Sequence, residues 1–247
     1  MTKAFRFAFS APLALALAAC GSGTSETGEI EGDAVAAVPA PAGTEWRDVA
    51  EATADGGTLV GNPNAPLKLI EYASLTCPTC ARFSQEGSEA LLSEYVNTGR
   101  VSYELRQFAI HGPLDLMLGR LTNCGPQEAV VPLSDQVWQN FDEVMAPVQA
   151  NGAALEQAMQ LPLEQRFVVA AERLGYLDFF AARGISEDQG RQCLSDTAAL
   201  ESAANFTQRY GSEFNIAGTP TFVLNGREVD ANSWGALEPI LQKAGAR

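Results

Sequence analysis

The spacing of apolar residues changes repeatedly along this chain, and each change marks a different kind of segment. Lys3 and Arg6 precede an uncharged apolar run, Phe7 to Ala19, which is too short to span a bilayer and has the size of a signal-peptide core. We read residues 1–19 as a signal peptide. Residues 20–45 are poor in large apolar side chains and rich in Gly, Ser, Thr, Ala and Pro, the composition of a flexible tether. Trp46 to Thr53, the Asp55-Gly56-Gly57 turn and Thr58-Leu59-Val60 predict a short hairpin, or a frayed helix in the first piece. Leu67 to Ala73 follows turn formers and is mostly apolar, which predicts a strand buried on both faces. A helical pattern then runs from Cys77 to about Asn97, with Phe83, Ala90, Leu91 and Val96 inward, before Thr98-Gly99 stops it. Val101 to Ile110 alternates as a strand, with Val101, Tyr103 and Leu105 on one face. Strand, helix and strand of these lengths predict a right-handed βαβ unit with parallel neighbours.

From residue 113 to about 213 the period is helical throughout. Trp138, Phe141, Met145 and Val148 form one stripe, Phe167, Ala171 and Leu174 another, and Leu200, Ala203, Phe206 and Tyr210 a third. Four or more amphipathic helices follow from this, and we read their stripes as core. Thr221 to Leu224, Asn225-Gly226, Arg227 to Val229 and a helix from Ser233 to about Ala244 complete a hairpin and helix. The predicted class is α/β, a single core formed by residues 46–112 and 214–247 with an all-helical subdomain inserted over 113–213.

Charge narrows the partners. The net charge is −14, and residues 21–57 hold eight acidic side chains against Arg47, an acid run that reads as a solvated spacer. Nucleic acid and anionic lipid headgroups need clusters of Lys and Arg that this chain lacks. Leu17-Ala18-Ala19-Cys20 resembles the lipobox of bacterial lipoproteins, which makes Cys20 the expected lipidation site; ordinary cleavage after Ala19 is the alternative.

Four further cysteines carry the chemistry. Cys77-Pro78-Thr79-Cys80 lies between a strand and a helix, the layout of a redox-active dithiol. A sulfur at a helix start meets unpaired N–H groups and the positive end of the dipole, so Cys77 is the expected nucleophile. Cys80, one turn deeper, can resolve a mixed disulfide formed at Cys77. Glu71 would lie beneath this helix, where burial raises its pKa and lets it exchange a proton with Cys80; the alternative is a carboxylate reaching solvent. Gly218-Thr219-Pro220-Thr221 precedes a strand, and a cis Thr219–Pro220 bond would free the Thr219 backbone to pair with an extended substrate; a trans proline at a strand start is the alternative. His111 is the only histidine and reads as an exposed loop residue, which leaves a triad or a histidine-rich metal centre poorly supported. Arg106 reads as a surface cation.

The runs Glu71 to Cys80 and Gly218 to Gly226, with a helical insert between them, resemble the thioredoxin superfamily and, within it, the DsbA-like thiol oxidoreductases, over Asn62 to about Arg247. The resemblance implies a thioredoxin-like fold, Cys77 as nucleophile, Cys80 as resolving thiol, Glu71 as proton-transfer aid, and a cis Pro220 that lines a substrate groove with Thr219. Pro78 and Thr79 complete the motif. Strong oxidants of the family carry His where this chain has Thr79, so a lower potential is expected here. Cys124 and Cys193, left over in an exported protein, most simply form a structural disulfide worth roughly 4 kcal/mol in the chain-entropy model. A four-cysteine zinc site is the alternative, but we expect no metal and no cofactor. The resulting expectation is a periplasmic, lipid-anchored monomer that donates disulfides to exported proteins and is reoxidised by a membrane quinone-linked partner. A reductase or isomerase working from the dithiol is the alternative, as is a lipid-tethered peptide-binding module with an incidental dithiol.

Overall fold

The computed structural model describes residues 1, 2 and 30–247, so the apolar run Phe7–Ala19 and Cys20 lie outside the described residues. A 3-10 turn at Trp46–Asp48 leads into β1 (Ala50–Ala52), β2 (Thr58–Gly61) and β3 (Leu67–Ala73). Helix α1 (Pro78–Ala90) continues as a π-helical turn over Leu91–Val96 and is followed by β4 (Val101–Gln107). Then come α2 (Pro113–Thr122), α3 (Val130–Gln139), α4 (Phe141–Ala150), α5 (Gly152–Ala158), α6 (Leu163–Arg173), α7 (Tyr176–Ala181), α8 (Glu187–Ser195) and α9 (Thr197–Ser212), with no strand among them. The chain returns to the sheet with β5 (Thr221–Leu224) and β6 (Arg227–Val229) and ends in α10 (Trp234–Lys243). The architecture is thus α/β with a helical insertion. Among the described residues no helix is long and apolar enough to cross a membrane.

The strands lie in the order β1-β2-β4-β3-β5-β6. β3 and β4 are parallel, with Leu67 opposite Val101, and every other neighbouring pair is antiparallel. Side chains alternate across a strand, so the register decides what meets what. Leu69, Glu71 and Ala73 share a face with Tyr103 and Leu105 of β4 and with Phe222 and Leu224 of β5. That face packs on α1 and α10, where Phe83 lies 4.6 Å from the Phe222 ring and 6.4 Å from the Trp234 indole. Gly87 is required there, because a Cβ would land on the Trp234 ring. The opposite face carries Ile70, Tyr72 and Val223, which pack with Phe108, Phe206, Tyr210 and Ile216. Lys68 alone of β3 is exposed. At the β5–β6 turn Asn225 and Gly226 both take positive φ, 50° and 81°, as a tight hairpin with right-handed twist needs.

Three expectations need correction. Arg106 is no surface cation: it is buried on the second face, with Nε 2.7 Å from Glu104, Nη2 3.0 Å from Asp55 and Nη1 donating to the Tyr72 hydroxyl at 2.8 Å. Its burial is possible because both carboxylates neutralise it in place. The same cluster holds the β1–β2 turn, through Thr53 donating to Glu104 and Tyr210 donating to the Asp55 carbonyl. Secondly, the stripe from Trp138 to Val148 is divided between α3 and α4, because the amide N–H and the side chain of Asn140 both donate to the Gln136 carbonyl and end α3. Thirdly, the expected tether is not free along its whole length. Gly32 and Val35 donate backbone hydrogen bonds to Lys243 and Gly245, and Val38 donates to Thr98. Arg100 and the Trp46 indole donate to carbonyls of the same segment. Small, undemanding side chains do not prevent docking when the main chain supplies the partners.

Cys124, just beyond α2, is disulfide-bonded to Cys193 of α8, their Cα atoms 5.8 Å apart, which removes both sulfurs from a four-cysteine zinc site. Replacing Arg106 by Met should lower the unfolding free energy in urea by about 3–5 kcal/mol, because the buried Glu104 would stay behind without its cation, whereas the more exposed Asp55 keeps Arg209. A loss under about 1 kcal/mol would show that the ion cluster does not hold the hairpin.

Candidate active site

β3 ends at Ala73, and the chain crosses Ser74 to Thr76 before α1 begins with Cys77 in the N-cap position and Pro78 as its first helical residue. Proline suits that position because its fixed φ is helical and its missing N–H would have no intrahelical partner. No side-chain oxygen caps α1, so its first N–H groups are left to the Cys77 sulfur. Cys77 and Cys80 are both free thiols and both buried. The Cys77 thiol is pushed down to about 5, first by the hydrogen bond from the Cys80 thiol and further by the backbone N–H groups of Thr79 and Cys80, with desolvation opposing. Cys80 has no exposed surface, and burial, the hydrogen bond to Cys77 and the charge of Glu71 push its thiol far up. Pro78 is exposed and Thr79 half-buried beside the sulfur.

Two neighbours complete the setting. Glu71 is 1 % exposed, so it does not reach solvent; Tyr103 donates its hydroxyl to Oε2 at 2.6 Å, while Oε1 is buried without a partner. Burial pushes this carboxyl up to about 8 against the Tyr103 hydrogen bond. The Thr219–Pro220 bond is cis, and the Thr219 carbonyl lies 3.4 Å from the Cys77 sulfur, which donates to it as a thiol.

The sequence reading missed the group that holds the loop before Cys77. Asp115, 4 % exposed in the first turn of α2, accepts from the Ser74 hydroxyl at 2.9 Å, the Thr76 amide at 3.1 Å, the Thr76 hydroxyl at 2.9 Å and the His111 amide at 2.9 Å. His111 is exposed as expected, yet its Nδ1 lies 2.7 Å from the same Thr76 hydroxyl. Since that hydroxyl donates to Asp115, Nδ1 carries the hydrogen toward Thr76. The available signal was an acid in a helix first turn, opposite Ser74 and Thr76 in a polar run between apolar elements. On the far side the Trp138 indole donates to the Ser74 carbonyl at 3.0 Å.

Two titrations test this geometry. Thiolate absorbance of the reduced protein should appear with a midpoint near about pH 5. Cys80→Ala should move it upward, because the largest contact holding the thiolate is gone. For Glu71 the sign is opposite: the native state keeps a proton that the unfolded chain releases, so Glu71 costs stability progressively as pH rises from about 4.5 to about 8. Glu71→Gln should therefore exceed the wild type in stability by a margin that widens across this window and levels off above it. A margin independent of pH in urea titrations would contradict a buried, protonated Glu71.

The thioredoxin family model matches residues 53–243. Proteins of Rickettsia typhi and Rickettsia conorii, each named "Putative protein-disulfide oxidoreductase", are 24% and 25% identical to this chain over 186 and 193 residues, covering 75% and 77% of it and 61% of each relative. The chain thus spans about three-fifths of the length of these curated relatives. Among solved structures, a protein-disulfide isomerase from Novosphingobium aromaticivorans is 30% identical with a TM-score of 0.71, the match covering 77% of this chain and 97% of that one. Alpha-DsbA1 from Wolbachia pipientis has the same fold at a TM-score of 0.60 and 21% identity, over 76% of this chain and 89% of its own. With the family model matched from the β1–β2 turn to the last residue of α10, the chain belongs to the thioredoxin family.

Proposed function

We propose that this chain is a thiol:disulfide oxidoreductase that exchanges disulfides with cysteine-bearing exported proteins through Cys77 and Cys80, working mainly as a disulfide donor. The observation that carries the reading is the split in acidity between two thiols one helical turn apart, Cys77 lowered and Cys80 raised. In the donor direction a substrate thiolate attacks the Cys77 sulfur of the Cys77–Cys80 disulfide, and the S–S bond breaks. Cys80 departs as a thiolate and takes a proton from the Glu71 carboxyl. A second substrate thiolate then attacks the mixed disulfide, and Cys77 leaves as a stable thiolate while the substrate gains its disulfide. A thiolate held at low pKa favours the dithiol form, so the disulfide passes readily to substrate. The cis Thr219–Pro220 loop beside Cys77 supports an extended substrate segment pairing with the Thr219 backbone.

The Leu17-Ala18-Ala19-Cys20 pattern supports lipidation at Cys20 and a place in the bacterial envelope, where a membrane quinone-linked partner would reoxidise the monomer. A second reading, an isomerase or reductase working from the dithiol, is favoured by the 30% identity to a protein-disulfide isomerase and by Thr79 in place of a histidine.

Equilibration of the Cys77–Cys80 pair with glutathione separates the two. The donor reading expects a potential of about −120 to −180 mV, and a value near about −270 mV would turn the assignment to the reductase. A Cys77→Ala protein should lose all exchange with a cysteine-containing peptide, and retained exchange would overturn both.

A further inference from the structure

Glu71 alone serves Cys80 poorly at neutral pH. To attack a mixed disulfide at Cys77, the Cys80 thiol must lose a proton, but burial keeps the Glu71 carboxyl protonated up to about pH 8, and an acid already protonated accepts nothing. Its Oε2 accepts from Tyr103, which leaves the proton on Oε1, the buried oxygen without a partner among the described residues. Glu71 borders a cavity of about 10 Å³ between the sheet, α1 and α3, about the room that one water takes. The polar groups around it are Glu71, Tyr103, Ser84, Ser88 and Asp135, and the rest of the lining is apolar.

Asp135, on α3 of the helical insertion, lines the cavity and as a residue is only partly buried, in contrast to Glu71. It accepts from the Ser84 hydroxyl at 2.8 Å and from Ser88. Burial raises its carboxyl to about 6, with the Ser84 and Ser88 hydrogen bonds opposing, so at neutral pH Asp135 is a carboxylate while Glu71 is an acid. Asp135 in turn raises Glu71 through its charge. The other ionisable groups acting on this pair are Cys77, Cys80 and Tyr103, with Glu89 acting on Asp135 from α1; no Lys, Arg or His lines the cavity.

We propose that Asp135 and a single water in this cavity form the path by which Glu71 exchanges protons with solvent, which makes Asp135 a positioning residue that acts on the dithiol through Glu71. The inference rests on the dithiol–disulfide exchange proposed above. In the resolving step the Glu71 Oε1 proton passes through the water to the Asp135 carboxylate. The Glu71 carboxylate so formed takes the proton of the Cys80 thiol. The Cys80 thiolate attacks the Cys77 sulfur, the bond from Cys77 to the substrate sulfur breaks, and the substrate leaves as a thiolate. Asp135 then releases its proton to solvent. Disulfide donation runs the same path inward.

The test is the rate at which Cys80 resolves a Cys77–glutathione mixed disulfide, followed by acid quench against pH in the full chain. In the wild type the rate should rise through about pH 6 as Asp135 ionises. Asp135→Asn should lose that limb and run about tenfold slower at neutral pH, and it should rejoin the wild type somewhat below about pH 8, because without the Asp135 charge the Glu71 carboxyl ionises by itself at a lower pH. Asp135→Glu should restore the limb, and thiolate absorbance of Cys77 should be unchanged in both variants. An Asp135→Asn profile identical to wild type, or one lowered equally at every pH, would overturn the relay while leaving the exchange reading intact. A wild-type protein that neither forms nor resolves the mixed disulfide would overturn both.

Discussion

The antiparallel pairing of β5 against β3, with Tyr72 opposite Thr221, is the constraint on which the site rests. In antiparallel neighbours the end of one strand lies beside the start of the other. The loop leaving β3 toward Cys77 therefore meets the Thr219–Pro220 loop entering β5, although 142 residues separate Cys77 from Thr219. Register matters as much as adjacency. A slip of one residue would turn Glu71 to the opposite face and present Ile70 or Tyr72 beneath α1, taking the acid away from Cys80. The apolar grip that resists such a slip comes from both faces, Phe222 against Phe83 on one and Tyr72 against Tyr210 on the other.

Around that junction, opposite treatments of charge lie within a few residues of each other. The Cys77 sulfur receives N–H groups that an uncapped helix has to spare, whereas Cys80 is held as a thiol first by burial and then by its hydrogen bond to Cys77 and the charge of Glu71. Asp115 places another acidic side chain close by, with donors from Ser74, Thr76 and His111 directed at its carboxylate. Those hydrogen bonds shape the loop before Cys77. Trp138 and Asp135 reach the same region from α3, so the insertion forms part of the wall of the site as well as a neighbouring lobe.

Local patterns made much of this legible. Alternation in β3 and β4, the Asn225-Gly226 turn, and cysteines at a strand-to-helix junction each depend on nearby residues, and each reads correctly from the chain alone. The missed features depend on residues far apart. Arg106 looks like any strand cation until Asp55 and Tyr72 are brought to it across the sheet, since its burial depends on partners that only the fold assembles. Asp115 and Asp135 look like ordinary acids on helix surfaces, and only the packing of α2 and α3 against the dithiol loop and the sheet gives them partners. Asn140 was hidden differently: the apolar period runs on through it while its own backbone and side chain close the helix.

The docking of residues 32–38 onto the end of α10 and the turn before β4 changes the geometry of any attachment further upstream. Arg100 and the Trp46 indole hold carbonyls of the same segment, so residues 32–38 travel with the domain as a strap across it. Whatever lies upstream therefore leaves the domain beside the end of α10 and not at Trp46.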